Sequence, residues 1–254
     1  TGTITPHTTF SCPGYFQFNG RSRRFKCWNH EGHGRVDLYT ALERSCNVYF
    51  YNTGRLLGEK RLAEYARKLG FGSSIPLELP TAGGLVPDAE WKSSVHHDKW
   101  YPGDTITFAI GQSYLLVSPL QILRLVAAIA TDGKILESTL VADPTKPRDH
   151  NHKISIFSNT FKTIRQGMLQ VVASDQGTGQ LARVGFAKLA AKTGTAQAPP
   201  GEPHAWFGGF FPYDDPQIGF VVFVERGKSG GFTAAQIAKK AAYIWNDLYG
   251  TKVS

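Results

Sequence analysis

Three apolar runs near the end of the chain decide the fold: AKLAAKTGTAQ (187–197), AWFGGFF (205–211) and IGFVVFVE (218–225). Short runs of this kind, separated by turn residues such as those of 212–216, predict β-strands. Because the runs follow one another directly, they predict an antiparallel sheet, and the amphipathic pattern of 233–248 predicts a terminal helix on its face. The predicted class is α/β of the α+β type, with an antiparallel sheet packed against helices.

The part of the chain before the sheet is predicted to be mainly helical. Helices are predicted after Asp37 as N-cap, over 59–69 up to Gly70, over 120–131 after Ser118-Pro119, and over 159–173. Residues 71–114 are predicted to be rich in loops, and 143–153 to be a polar turn. We interpret the chain as one domain in three parts: an irregular segment (1–36), a mainly helical segment (37–185), and the sheet with its terminal helix (186–254).

Composition excludes several classes of protein. With 41% hydrophobic and 19% charged residues, the 254-residue chain is not a disordered protein. It contains no apolar run of the length that a membrane span needs. The net charge is +8, but the densest basic cluster (Arg21, Arg23, Arg24, Lys26) is short and has no nucleic-acid-binding motif around it. We therefore interpret the charge as a solvated basic face and predict no nucleic-acid partner.

Lys192-Thr193-Gly194-Thr195 lies on the first predicted strand and has the chemistry of a carboxylate site. An ammonium group supplies positive charge, and the two threonine hydroxyls supply hydrogen bonds. Gly194 has no side chain, so an extended peptide can lie close to the backbone. An ordinary strand end with an exposed lysine is the alternative interpretation.

Ser45-Cys46-Asn47 interrupts a predicted amphipathic helix. A Ser-x-Asn triplet occurs by chance about once in a chain of this size, so its position matters more than its letters. In an extended turn, Ser45 and Asn47 point to one side and Cys46 points to the other.

Taken together, these elements resemble the class B penicillin-binding proteins. The resemblance is carried by GHG (32–34), ALERSCNVYFY (41–51), WYPGDT (100–105), IGQ (110–112), SPLQ (118–121), KTGTAQ (192–197) and HAWF (204–207). It extends from about Thr5 to Tyr249, and within the class it is closest to the elongation-type penicillin-binding protein 2 group. The resemblance implies the penicillin-binding/β-lactamase-like transpeptidase fold, here without its N-terminal side.

The resemblance also implies a serine acyl transferase that cross-links peptidoglycan stem peptides and is acylated by β-lactam antibiotics. Ser45 is expected to relay a proton to the leaving group, and Asn47 to orient the catalytic lysine and the substrate amide. Lys192, Thr193 and Thr195 are expected to hold the terminal carboxylate, with Gly194 allowing the close approach. The backbone N–H of Thr195 is expected to contribute to the oxyanion hole.

One element of the family pattern is missing. The sequence contains no Ser-x-x-Lys, the motif that carries the nucleophile, so the chain by itself is expected to be inactive. Thr131-Asp132-Gly133-Lys134 has the spacing, but we interpret it as the end of a helix. Two other classes stay open: a β-lactam sensor or β-lactamase-like hydrolase, and a non-catalytic interaction module. A Ser-x-x-Lys encoded just upstream of Thr1 would favour the enzyme over the module.

By resemblance, the partners are a RodA-type glycan polymerase and the scaffold protein MreC. The expected location is the periplasmic side of the bacterial inner membrane, with the parent protein held by an N-terminal transmembrane helix absent from this chain. No organic cofactor is expected.

Cys12, Cys27, His33 and Cys46 are predicted to bind one structural zinc ion. Cys₃His is a common ligand set for tetrahedral zinc, and four protein ligands leave no open position for a water molecule. Some penicillin-binding protein 2 relatives hold zinc here with Asp at the positions of Cys12 and Cys27. The alternatives are a Cys12–Cys27 disulfide with Cys46 free, three separate core thiols, or a turn histidine bonded to backbone.

Overall fold

The computed structural model describes residues 2–18, 22–141, 152–156 and 158–250. The chain forms two compact units. The first comprises Thr1–Ala41, Ser45–Gln121 and Ile135–Ile154, and the second comprises Leu42–Arg44, Ile122–Lys134 and Ser155–Ser254. No helix among the described residues has the length and apolar character required to cross a membrane.

The segment 1–36 contains four short strands. These are β1 (Phe10–Cys12), β2 (Tyr15–Gln17), β3 (Arg24–Lys26) and β4 (Gly34–Val36). They form two antiparallel pairs, β1 with β4 and β2 with β3. The segment expected to be irregular therefore also contains two short antiparallel pairs that the sequence did not predict. Three-residue strands are too short to show a period in sequence, and their pairing depends on residues elsewhere in the chain.

Three helices follow, as the sequence predicted: α1 (Leu38–Glu43), α2 (Asn47–Leu57) and α3 (Glu59–Lys68). Asp37 caps α1, because its Oδ1 accepts a hydrogen bond from the Thr40 N–H at 2.9 Å. The Ser45–Asn47 triplet separates α1 from α2. Gly70 terminates α3 in a left-handed conformation with φ 89°.

Two helices that the sequence did not predict lie within the segment 71–114, which was expected to be rich in loops: α4 (Ala89–His96) and α5 (Pro102–Phe108). Both begin at local start signals, an Asp88 side chain that accepts the Trp91 N–H at 2.8 Å and a proline at the first position of α5. The prediction failed because the density of Pro and Gly outweighed these signals. A long-range contact joins the two helices: the buried Lys92 Nζ donates to Asp104 Oδ2 at 2.7 Å.

In the rest of the chain, the predicted helices and strands appear in the predicted order, together with two short strands and two short turns that were not predicted. They are α6 (Pro119–Ala130), β5 (Lys134–Ile135), β6 (His152–Lys153), α7 (Ser158–Ala173), a 3₁₀ turn (Gln180–Ala182), β7 (Ala190–Ala196), β8 (His204–Phe211), β9 (Ile218–Val224), a π-helical turn (Gly230–Ala234) and α8 (Ala235–Tyr249). Ser118 caps α6 as predicted, since its Oγ accepts the Gln121 N–H at 3.3 Å. The turn predicted for 143–153 lies outside the described residues except for 152–153, which form β6.

The three-stranded sheet has the order β7-β8-β9 and is antiparallel throughout, as predicted. Helix α8 packs against it through Ala235, Ala238 and Ala242, which belong to the same core cluster as Phe207 and Phe211. Small side chains on one helical face let the helix approach the sheet closely. Among the described residues, β7 pairs with β8 on one side and with no strand on the other, so it is an edge strand.

Candidate functional site

The Lys-Thr-Gly-Thr sequence occupies the middle of the edge strand β7. In the register with β8, Lys192 lies opposite Gly208 and Gly194 lies opposite Trp206. Side chains alternate along a strand, so the Cβ atoms of Thr193 and Thr195 lie on the face opposite to that of Lys192, but the long lysine side chain still brings Nζ to 3.4 Å from Thr193 Oγ1. An edge strand has backbone groups available to pair with an extended peptide. The predicted placement on the first of the three strands is confirmed.

Lys192 is held in a partly buried position with its ammonium group among protein atoms. Its Nζ donates to the Thr193 carbonyl oxygen at 3.0 Å and lies 3.4 Å from Thr193 Oγ1. Burial lowers the pKa of Lys192 to about 8. The group therefore stays cationic at neutral pH, but it is poised to lose its proton in mildly alkaline solution.

Two further residues contact the threonines of β7, and the sequence analysis missed both. Thr178 Oγ1 lies 2.7 Å from Thr193 Oγ1, and the Gly230 N–H donates to Thr195 Oγ1 at 3.3 Å. A Cβ atom at position 230 would collide with the carbonyl oxygens of Gly194 and Trp206, so only glycine lets the π-helical turn lie this close to β7. The Gly-Thr-Gly of 177–179 and the Gly-Gly of 230–231 were the available signals.

Ser45, Cys46 and Asn47 form the connection between α1 and α2 in the first unit. Cys46 is fully buried, whereas Ser45 and Asn47 are half-buried, so the prediction that Cys46 points away from its neighbours is confirmed. The extended conformation assumed for the whole triplet was wrong at Ser45, which has a left-handed backbone with φ 53°. This conformation is costly for a residue with a Cβ atom and is held by the two flanking helices.

Asn47 is the first residue of α2, and its side chain reaches β3. Its Nδ2 donates to the Lys26 carbonyl oxygen at 3.4 Å, and the Tyr51 hydroxyl donates to the same oxygen at 3.1 Å. The Ser-x-Asn triplet is thus attached to the β2–β3 hairpin. Lys192–Thr195 lie in the second unit.

Cys12, Cys27, His33 and Cys46 come together as predicted, with their ligand atoms within 4.8 Å of one another. The Sγ atoms of Cys12 and Cys27 lie 3.6 Å and 3.5 Å from His33 Nδ1. The backbone fixes this arrangement, because the His33 N–H donates to the Cys12 carbonyl oxygen at 3.0 Å. All three cysteines are buried free thiols, and no bond joins Cys12 to Cys27.

The dimensions of the cluster fit a tetrahedral zinc ion. Zn–S and Zn–N bonds of about 2.3 Å and 2.0 Å place sulfur and nitrogen about 3.5 Å apart at a tetrahedral angle. The donor chemistry fits as well: a hydrogen bond from Cys46 is the main cause that lowers the pKa of the Cys27 thiol. A thiolate is the form in which cysteine binds metal. Nδ1 is the nitrogen of His33 that faces the two sulfurs, so it is the atom that would bind the ion, whereas Nε2 is buried without a hydrogen-bond partner in the described structure.

Comparison with protein families identifies one match, the penicillin binding protein transpeptidase domain, over residues 1–243. The match extends over both compact units. Among curated proteins, the chain is 34% identical to the peptidoglycan D,D-transpeptidase MrdA of Acinetobacter baumannii over 96% of the chain. It is 31% identical to MrdA of Escherichia coli K12 over 90% of the chain. The chain spans only 39% and 40% of the lengths of these two relatives.

The chain is also similar to solved structures of penicillin-binding proteins. PBP2 of Pseudomonas aeruginosa, in complex with WCK 5153, superposes with a TM-score of 0.87 at 32% identity, covering 96% of this chain and 55% of that one. PBP2 of Helicobacter pylori, in a complex with MreC, superposes with a TM-score of 0.89 at 31% identity, covering 96% of this chain and 46% of that one. A peptidoglycan synthase complex is similar to 96% of the chain, with a TM-score of 0.83 and 32% identity.

Proposed function

Because the chain belongs to the penicillin-binding protein transpeptidase family, as a class B member of the PBP2 type, we propose that its parent protein is a peptidoglycan D,D-transpeptidase. The observation that carries the proposal is the Lys-Thr-Gly-Thr sequence on edge strand β7, inside a family match of residues 1–243. The substrates would be stem peptides ending in a carboxylate. β-Lactam antibiotics, which imitate that peptide end, would acylate the same site.

The proposed reaction is acyl transfer. A serine outside this sequence attacks the carbonyl carbon of the terminal D-Ala–D-Ala bond, and D-Ala leaves with a proton. An amine of a second peptide then attacks the acyl ester, so that a C–N bond forms, the C–O bond breaks and the serine recovers its proton. Lys192 and the hydroxyls of Thr193 and Thr195 would hold the carboxylate, and the Thr195 N–H would stabilise the oxyanion. Ser45 would relay the proton, and Asn47 would orient the reacting groups.

Labelled benzylpenicillin tests this proposal. In the full-length protein, Lys192→Ala should lower the acylation rate by at least about 100-fold, because the ammonium is lost where substrate charge must be bound. Lys188→Ala is the matched control: its side chain is 67% exposed, and it lies just before β7. The 254-residue chain, without Ser-x-x-Lys, should form no penicilloyl adduct in mass spectrometry.

Two results would contradict the proposal. One is an acylation rate of the Lys192→Ala protein within twofold of the unmodified protein. The other is a penicilloyl adduct on the chain that lacks Ser-x-x-Lys.

The proposed setting is the periplasmic face of the inner membrane. Support for the partners comes from similar structures, a PBP2–MreC complex and a peptidoglycan synthase complex. An MreC-type scaffold and a RodA-type glycan polymerase are therefore the proposed partners of the parent protein.

A structural zinc ion at Cys12, Cys27, His33 and Cys46 is the second part of the proposal. The ion would tie β1, the end of β3 and the start of α2 together behind the Ser-x-Asn triplet. Such a site supplies folding free energy and takes no part in the chemistry. Its support is the convergence of four ligand atoms and the 3.5–3.6 Å sulfur–nitrogen distances.

Elemental analysis of the purified protein should find one zinc per chain. Chelation should release it, raise the number of titratable thiols to three and lower the thermal midpoint by about 10 °C, which corresponds to a few kcal/mol for a protein of this size. His33→Ala should lower zinc content, whereas His30→Ala, at an exposed neighbouring position, should not. Metal-free protein with a single titratable thiol would instead identify a Cys12–Cys27 disulfide.

A further inference from the structure

The β2–β3 hairpin presents an exposed, cationic face. Arg24 and Lys26 alternate with Phe25, so both point to solvent while Phe25 is buried. Their cross-strand partners are Gln17 and Tyr15, which are neutral. Among the residues that the structure describes, no carboxylate forms an ion pair with Arg24 or Lys26.

The charge of the chain is concentrated around this hairpin. Residues 1–36 contain five basic residues, Arg21, Arg23, Arg24, Lys26 and Arg35, against one acidic residue, Glu31. Half of the net charge of +8 therefore lies in 36 of the 254 residues. An excess of basic residues of this size within one segment attracts anions.

Two of the cations, Arg23 and Arg24, stack on aromatic rings. The Arg24 guanidinium carbon lies 4.3 Å from the centroid of the Tyr15 ring, and that of Arg23 lies 4.9 Å from the centroid of the Phe25 ring. Stacking fixes the plane of a guanidinium and leaves its N–H groups available for a carboxylate. Beneath them, Phe25 packs against Phe16, Phe18 and Tyr51.

The hairpin is directly connected to the candidate active site in the first unit. The Lys26 carbonyl oxygen accepts hydrogen bonds from Asn47 Nδ2 and from the Tyr51 hydroxyl. Lys26 therefore lies one hydrogen bond away from the Ser-x-Asn triplet. The contact is made through the Lys26 main chain, so a ligand bound by the side chains of Arg24 and Lys26 would lie on the hairpin that carries this contact.

We propose that this face, formed by Tyr15, Arg24 and Lys26, docks an anionic peptide, the amine-bearing acceptor of the cross-linking reaction. This inference rests on the proposed function. Arg24 and Lys26 are two residues apart on one strand, on the order of 7 Å, which is also the spacing of same-side groups along an extended peptide. Two carboxylates of such a peptide can meet the two cations in register.

An anionic membrane surface is the competing ligand for a basic patch. Surfaces that bind membranes combine cations with apolar side chains that enter the lipid. On this face the Arg24 guanidinium lies over the aromatic ring of Tyr15 and Phe25 is buried, so Trp28, which is 56% exposed, is the one exposed aromatic side chain among the described residues of 15–28. The face thus favours a peptide with carboxylates.

The test uses the full-length protein with the paired substitution Arg24→Gln and Lys26→Gln. The matched control is Lys60→Gln with Arg61→Gln, two exposed cations on α3. The protein is acylated by a thioester donor peptide and then given a synthetic acceptor tetrapeptide with a free amine. A second acceptor has the same sequence with its carboxyl groups amidated.

We expect the Arg24/Lys26 variant to raise the half-saturating concentration of the carboxylate acceptor about fivefold, with the maximal rate little changed. The half-saturating concentration of the amidated acceptor should be the same for the variant as for the unmodified protein. Charge reversal, with Arg24→Glu and Lys26→Glu, should weaken the carboxylate acceptor further. The control pair should change neither acceptor.

The outcomes separate this inference from the proposed function. If the unmodified protein is not acylated by benzylpenicillin, the proposed function fails. If acylation is normal but the Arg24/Lys26 variant changes the half-saturating concentrations of both acceptors equally, the docking inference is wrong. If the Arg24/Lys26 variant has unchanged acceptor kinetics but no longer binds vesicles of anionic phospholipid, the face would instead be assigned to membrane binding.

Discussion

Lys192 combines two properties that a carboxylate-binding residue needs: a defined position on β7 and an ammonium group that remains positively charged at neutral pH. Burial lowers its pKa to about 8, so the ammonium form predominates below pH 8 and is lost above it. The expected consequence is a fall in the rate of acylation by benzylpenicillin as pH rises through about 8. The direction is fixed because the substrate carboxylate stays ionised throughout this range.

Lys192→Arg isolates this titration from others in the active site. Arginine stays charged at all accessible pH values, although its planar group fits the site of an ammonium imperfectly and should lower the rate overall. Rates measured from pH 6 to 10 in full-length protein should show the fall near pH 8 for lysine and not for arginine. A fall at the same pH in both proteins would assign it to a different group.

Helices and strands specified by local sequence signals were predictable from the sequence. Those that depend on contacts with distant residues were not. The strand β7 and the helices α1 and α6 have their own periodicity or N-caps. The three-residue strands β1 and β4 have neither, since they exist because they pair with each other and carry Cys12 and His33 toward Cys46. Helix α5 is an intermediate case, with a proline start signal that the surrounding Pro and Gly residues obscured.

The candidate site divides in the same way. Lys192–Thr195 and Ser45–Asn47 are recognisable as short sequences, and the four proposed zinc ligands as a residue set. Thr178 and Gly230 were missed because they reach β7 only through the tertiary fold, over separations of 15 and 35 residues from the threonines they contact. The left-handed Ser45 was missed because a serine at a helix break gives no local indication of positive φ.

At the scale of the whole molecule, helix α8 has a second apolar face besides the one that packs on the sheet. Ile237, Ala241, Ile244 and Leu248 recur at spacings of four, three and four residues, the pattern of a helix–helix contact. Ile237, Ile244 and Leu248 are 43%, 60% and 59% exposed. An apolar stripe of this length in water favours association with another apolar surface.

The last prediction is that the 254-residue chain self-associates in solution through this stripe. Ile244→Glu should shift it toward monomer, because a carboxylate would have to be buried at the centre of the contact. Gln236→Glu is the matched control, since it adds the same charge at an exposed position of α8 outside the stripe. Sedimentation velocity between about 5 and 100 μM, the range in which moderate apolar contacts form, measures the change in mass. A chain that stays monomeric throughout, or an Ile244→Glu protein that associates as strongly as the control, would show that the stripe does not drive association.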